Sequence, residues 1–96
     1  MNKLAHFTSE LKEIRTELMN RFHVSSIGFF GSVVRNDFTD KSDVDIVVDF
    51  NRPVGIEFID LAEYLELKLN RKIDLVSRKG IKEKYFQVIE REIVYV

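Results

Sequence analysis

The sequence predicts an α/β fold, a small mixed β-sheet flanked by helices, with elements in the order αβ(α)βαβα. Three observations carry this. Residues 3–22 and 54–69 bear apolar side chains at spacings of three and four, the period of a half-buried helix. Three short runs rich in Val, Ile and Phe, at 23–31, 43–50 and 72–77, read as strands and alternate with those helices. The helix between the second and third runs is long enough for a crossover, which makes those two strands parallel and neighbours.

In chain order, Leu4, Phe7, Leu11, Ile14, Leu18 and Phe22 form the stripe of a first helix, with Glu10, Lys12, Glu13 and Glu17 opposite. "HVSSIGFFG" is the first strand, ended by Gly31. Residues 32–37 suit a short helical turn, and "DFTDKSD" is a polar loop. The second strand, "DVDIVVDF", alternates: Val44, Ile46, Val48 and Phe50 on one face, Asp43, Asp45, Val47 and Asp49 on the other. Asn51-Arg52-Pro53 breaks it. Phe58, Leu61, Ala62, Leu65 and Leu69 make the stripe of the second long helix, and Asn70 suits a left-handed cap. "KIDLVS" is the third strand, residues 81–91 read as helical, and "IVYV" as an edge strand or extended tail.

Composition narrows the function. Ninety-six residues, 45% of them apolar, predict one domain over 1–96 with a single modest core. With no cysteine there are no disulfides and no thiolate metal sites, which fits a reducing, cytoplasmic setting. The charged, amphipathic N-terminus is unlike a signal peptide, and no apolar run approaches the ~20 residues that span a bilayer. A net charge of −1 argues against direct nucleic-acid binding through a broad basic field. Residues 1–70 hold 8 Lys/Arg against 12 Asp/Glu, and residues 71–96 hold 7 against 4, so the tail end is basic on an acidic body.

The acids in the strands are the anomaly, because carboxylates are poor strand formers and costly to bury unpaired. Asp43 and Asp45, two apart on an extended segment, point the same way. Asp74 leaves the third strand opposite Ile73 and Leu75, so adjacency of the strands brings it to the same cluster. Three carboxylates that close repel one another unless cations neutralise them. Hard oxygen ligands suit Mg²⁺, and two such ions ~3.5–4 Å apart clamp the attacking and leaving oxygens of a phosphoryl or nucleotidyl transfer. Gly31 lets the backbone approach a ligand, and a helix opening at Ser32 offers N–H groups and a hydroxyl to an anion. Arg35, one turn on, reaches either a phosphate or Asp37 and Asp40.

Each part also has an ordinary structural reading: Gly-Ser as a plain turn, Asp-x-Asp as a solvent-facing edge, Asp74 as an exposed alternation residue. A calcium loop is excluded, since "DVDIVVDF" lacks the central Gly and terminal Glu of an EF-hand. Ser42 reads as a loop-bracing residue. His6 and His23 have no paired ligand and read as surface or helix-end positions. Tyr64, Tyr85 and Tyr95 read as core-edge packing, and Lys79, Lys82 and Lys84 as a solvated face.

The run "GSVVRNDFTDKSDVDIVV" resembles the signature of the DNA polymerase β-like nucleotidyltransferase superfamily, a Gly-Ser pair followed by Asp-x-Asp. Here ten residues separate Gly31-Ser32 from Asp43-Val44-Asp45. The short chain, "SDVDIVV" and the later "KIDLV" are similar to the minimal nucleotidyltransferases of prokaryotes, which are paired with HEPN-domain proteins. The resemblance implies Asp43, Asp45 and Asp74 as metal ligands and catalytic acids, and Gly31, Ser32 and Arg35 as nucleotide contacts. It further implies AMP transfer from ATP to a tyrosine hydroxyl of a HEPN ribonuclease toxin. The chain would then be the antitoxin, in a hetero-oligomer with that toxin. Many relatives carry Gly where this chain has Asn36; Asn also tolerates positive φ, so the turn is expected to survive. Neutralisation by binding alone is the alternative, and modification of a small molecule is disfavoured by the lack of room for a recognition domain.

Overall fold

The structure, a computed structural model, describes residues 3–96; residues 1 and 2 of the predicted domain lie outside it. Four strands, β1 (Val24–Phe30), β2 (Val44–Phe50), β3 (Ile73–Ser77) and β4 (Val94–Tyr95), form one mixed sheet in the order β3-β2-β1-β4. β1 runs antiparallel to both β2 and β4, while β2 and β3 are parallel. The crossover that makes them parallel is α4 (Glu57–Leu69), closed by Asn70 in the left-handed conformation at φ 53°. This is the α/β architecture with the adjacent parallel pair that the sequence predicts. The edge strand predicted from "IVYV" is present but only two residues long.

Alternation decides which face of the sheet each residue serves. Ile27, Phe29, Val44, Ile46 and Val48 are buried on one face beneath the apolar stripes of the long helices, including Phe7, Leu11, Leu18, Phe22, Leu61 and Leu65. The opposite face carries Asp45, Val47 and Asp49 of β2 beside Gly28 and Phe30 of β1. There Val47 is buried outside the main core, and the Ile93 side chain lies within 2.8 Å of where a Gly28 Cβ would stand. That close approach is the reason for a glycine in the middle of β1.

The predicted single helix over 3–22 is instead two, α1 (Lys3–Glu13) and α2 (Arg15–Phe22), broken at Ile14 with φ −104° and ψ 12°. The break has a packing reason. Phe7 of α1 sits against Phe29 and Phe38 at one end of the core, whereas Phe22 of α2 stacks 5.0 Å from Tyr64 of α4 at the other. The two helices thus serve opposite ends of the core. Further on, α4 begins at Glu57 rather than 54, because Pro53 and Gly55 hold the preceding residues out of the helix. The last helical stretch is α5 (Glu83–Ile89) followed by a 3₁₀ turn at Glu90–Glu92.

Candidate active site

Two loops bring the chemistry together. After β1 the chain turns at Gly31, with φ 76° and ψ −151°, and enters the one-turn helix α3 (Ser32–Arg35). Val34 and Arg35 donate their N–H groups to the Gly31 carbonyl at 3.0 and 3.1 Å. Asn36 closes that turn at φ 72°, a left-handed conformation that Asn tolerates, so the turn survives as expected. Gly31 has a second constraint from across the sheet: a Cβ there would stand 2.9 Å from Asp45 Cγ and 3.2 Å from its Cβ. Residue 31 is therefore glycine both for its backbone conformation and because the Asp45 carboxylate occupies the space a side chain needs.

The loop that follows is braced to deliver Asp43. Ser42 Oγ accepts the Thr39 N–H at 3.0 Å, the structural role predicted for it. Arg71, just past α4, donates from Nη2 to the carbonyls of Thr39, Asp40 and Ser42 at 3.1, 3.2 and 2.9 Å. Its guanidinium also lies over the Phe38 ring at 4.6 Å. Val44 N–H then bonds Lys72 O at 2.9 Å and starts the parallel ladder.

In that ladder Asp45 pairs directly with Asp74. The two carboxyls stand close enough for the Asp74 side chain to act directly on that of Asp45. The Asp45 carboxyl is pushed up to about 6, first by burial, then by the charge and hydrogen bond of Asp74, then by the charge of Asp43, with Arg35 partly opposing. Among the described residues no ion pair reaches Asp43, Asp45 or Asp74. Such a set of hard oxygen donors with unmet negative charge fits a divalent cation. As the side chains stand, no three His, Asp or Glu among the described residues converge as metal ligands; the convergent pair is Asp45 and Asp74, with Asp43 exposed at the mouth.

The family model for the nucleotidyltransferase domain matches residues 11–95. The chain belongs to that family. Over its full length this nucleotidyltransferase is 43% identical, across 97 residues, to the protein adenylyltransferase MntA of Thermococcus cleftensis, of which the match covers 98%. A solved structure provisionally assigned as a minimal nucleotidyltransferase superposes with a TM-score of 0.81 at 25% identity, over 95% of this chain and 93% of that one. A chain from the complex of the tri-AMPylated Shewanella oneidensis HEPN toxin with its MNT antitoxin gives 0.66 at 22% identity, over 93% and 70%. At that identity the likeness is one of fold.

The structure thus brings Gly31, Arg35, Asp43, Asp45 and Asp74 of the nucleotidyltransferase to one end of the sheet, with Ser32 half-buried at the start of α3. Arg35 does not reach Asp40 in a salt bridge; it pairs with Asp37 at 3.8 Å and with Glu92 at 3.2 Å. Glu92 and Arg71 are site residues that the sequence reading missed, since neither has a local pattern. Tyr85 and Tyr95 are more than half exposed rather than packed at the core edge, because each faces outward from a peripheral element. A hollow of about 290 Å³ lined by Phe58, Ser77 and Lys79 opens at the C-terminal ends of β2 and β3, away from the acids at their N-terminal ends. No helix among the described residues is long and apolar enough to cross a membrane.

Proposed function

We propose that this nucleotidyltransferase is a Mg²⁺-dependent protein adenylyltransferase. It moves AMP from ATP to a hydroxyl, that of a tyrosine, on a partner HEPN ribonuclease toxin, with pyrophosphate as the leaving group, and so acts as the antitoxin. The observation that carries the reading is the Asp45–Asp74 pair, its charge unmet by any salt bridge among the described residues, at the end of β1 where Gly31 turns the chain. The 43% identity to a protein adenylyltransferase supports protein as the acceptor class.

In this reading Asp43, Asp45 and Asp74 hold the metal, most simply as two ions. Bound there, it supplies the charge neutralisation that phosphoryl transfer requires. Gly31 N–H, the Ser32 hydroxyl and Arg35 hold the phosphates of ATP. Asp74, exposed at the outer strand, faces an incoming acceptor and takes the proton of its hydroxyl, provided that hydroxyl comes within hydrogen-bond reach. Arg71 acts at one remove, through the loop that carries Asp43.

The test is to incubate the protein with its HEPN partner, Mg²⁺ and ATP and weigh the partner by mass spectrometry. A gain of one or more AMP units is expected. A partner inhibited without any gain in mass would replace the enzymatic reading with neutralisation by binding.

Arg71→Ala is expected to lower the transfer rate roughly tenfold and the stability by about 1–2 kcal/mol, because three carbonyls of the 39–42 loop lose their donor. Arg71→Lys should recover only part of this, since an ammonium lacks the planar fork. Rates measured on chemically unfolded-and-refolded variants alongside denaturant melts separate the two effects; an unchanged rate would remove Arg71 from any part in placing Asp43.

A further inference from the structure

Glu92 arrives at the site from 61 residues along the chain and takes two of the donors at the Gly31 turn, the Gly31 N–H and the Arg35 guanidinium. Its Oε1 accepts the Gly31 N–H at 2.9 Å. The same oxygen accepts from Arg35 Nη1 at 3.2 Å, with Oε2 at 3.4 Å. The Glu92 side chain is 24% exposed against 53% for Arg35, so the carboxylate is the seated partner and the guanidinium the outer one. Its backbone is fixed on both sides, by the 3₁₀ turn before it and by Ile93 and β4 after it, where Val96 N–H bonds Ile27 O at 2.9 Å.

A backbone N–H and a guanidinium holding one anionic oxygen group is also the way a protein holds a phosphate. The Gly31 amide has a single hydrogen, and Arg35 faces the same point, so Glu92 and a phosphate cannot both be satisfied there. Two anions at that spacing also repel. Resting on the reading of Gly31 and Arg35 as phosphate contacts, we propose that Glu92 is a resident phosphate surrogate, which occupies the anion seat in the free protein and is displaced when nucleotide binds. Displacement subtracts the worth of the Glu92 contacts from the affinity for nucleotide. It also favours polyphosphates, whose several anionic oxygens replace both contacts at once, over monophosphates. In the absence of nucleotide the same contact keeps Arg35 turned toward the seat.

The experiment is calorimetric titration of the whole chain with ATP in the presence of MgCl₂, with circular dichroism as the check on folding. Glu92→Gln keeps the shape and removes the charge; it is expected to tighten ATP binding about fivefold, the worth of a partly exposed ion pair. Arg35→Gln is expected to loosen binding, and in that background the gain from Glu92→Gln should shrink, because the two side chains act on one seat. Should the Gln variant fail to fold, Glu92→Asp stands in: one methylene shorter, it cannot span both donors, and tighter binding is again expected. If Arg35→Gln loosens binding while Glu92→Gln leaves it unchanged or weakens it, the surrogate role is overturned and the phosphate reading stands. If neither variant alters ATP affinity, the phosphate reading of Gly31 and Arg35 is what fails, and the surrogate falls with it.

Discussion

Asp45→Asn is expected to lower AMP transfer by more than about a hundredfold, the usual cost of deleting a charged group aimed at the transition state. The same variant should be more stable than the parent at neutral pH in the absence of metal. The Asp45 carboxyl titrates at about 6 in the fold against 3.8 unperturbed. Between those values the folded state holds the proton that the unfolded state has released, so the wild type loses stability as pH rises from about 4 to about 6. The loss at pH 7 is on the order of 1–2 kcal/mol, discounted from the full shift because water screens a half-buried carboxylate. Asn carries no such charge. Melts of both proteins in EDTA from pH 4 to 7 should diverge with rising pH, and Mg²⁺ should raise the midpoint of the wild type far more than that of the variant. Parallel melts, or unchanged transfer by the variant, would take Asp45 out of the proposed site.

Gly31→Ala is expected to cost about 2–4 kcal/mol and to abolish transfer even in the fraction that stays folded. The backbone sits at φ 76° and ψ −151°, a region in which any side chain is strained. The added methyl would also press on the Asp45 carboxylate across β1 and β2. Either the turn or the carboxylate must move, and the proposed chemistry needs both in place. Denaturant melts read the first effect and mass spectrometry of the partner the second. A variant as stable as the parent would show that the turn relaxes freely, contrary to the packing around it.

Much of this was legible in the sequence because it depends on local spacing. Period-two alternation puts Asp43 and Asp45 on one face, and a crossover helix of adequate length makes β3 the parallel neighbour of β2. Those two facts together place Asp74 beside Asp45. What stayed hidden depends on partners far along the chain. The break at Ile14 follows from α1 and α2 packing on different parts of the core, which the uninterrupted spacing over 3–22 gives no sign of. Neither Arg71 nor Glu92 belongs to a local pattern that marks it out. Only the tertiary fold shows that the first ties down a loop and the second holds Gly31 and Arg35.

The sheet order has a consequence for how the protein is made. Gly31 follows β1 and Asp45 lies on its antiparallel neighbour β2, so the two can meet once the chain through β2 has left the ribosome, whereas Asp74 joins only after α4 has crossed over and β3 has docked. Glu92 comes later again, after β3 and α5 in the chain. Until β3 docks, Asp43 and Asp45 stand without Asp74, so the proposed acid cluster is complete only once the parallel pair of strands has formed.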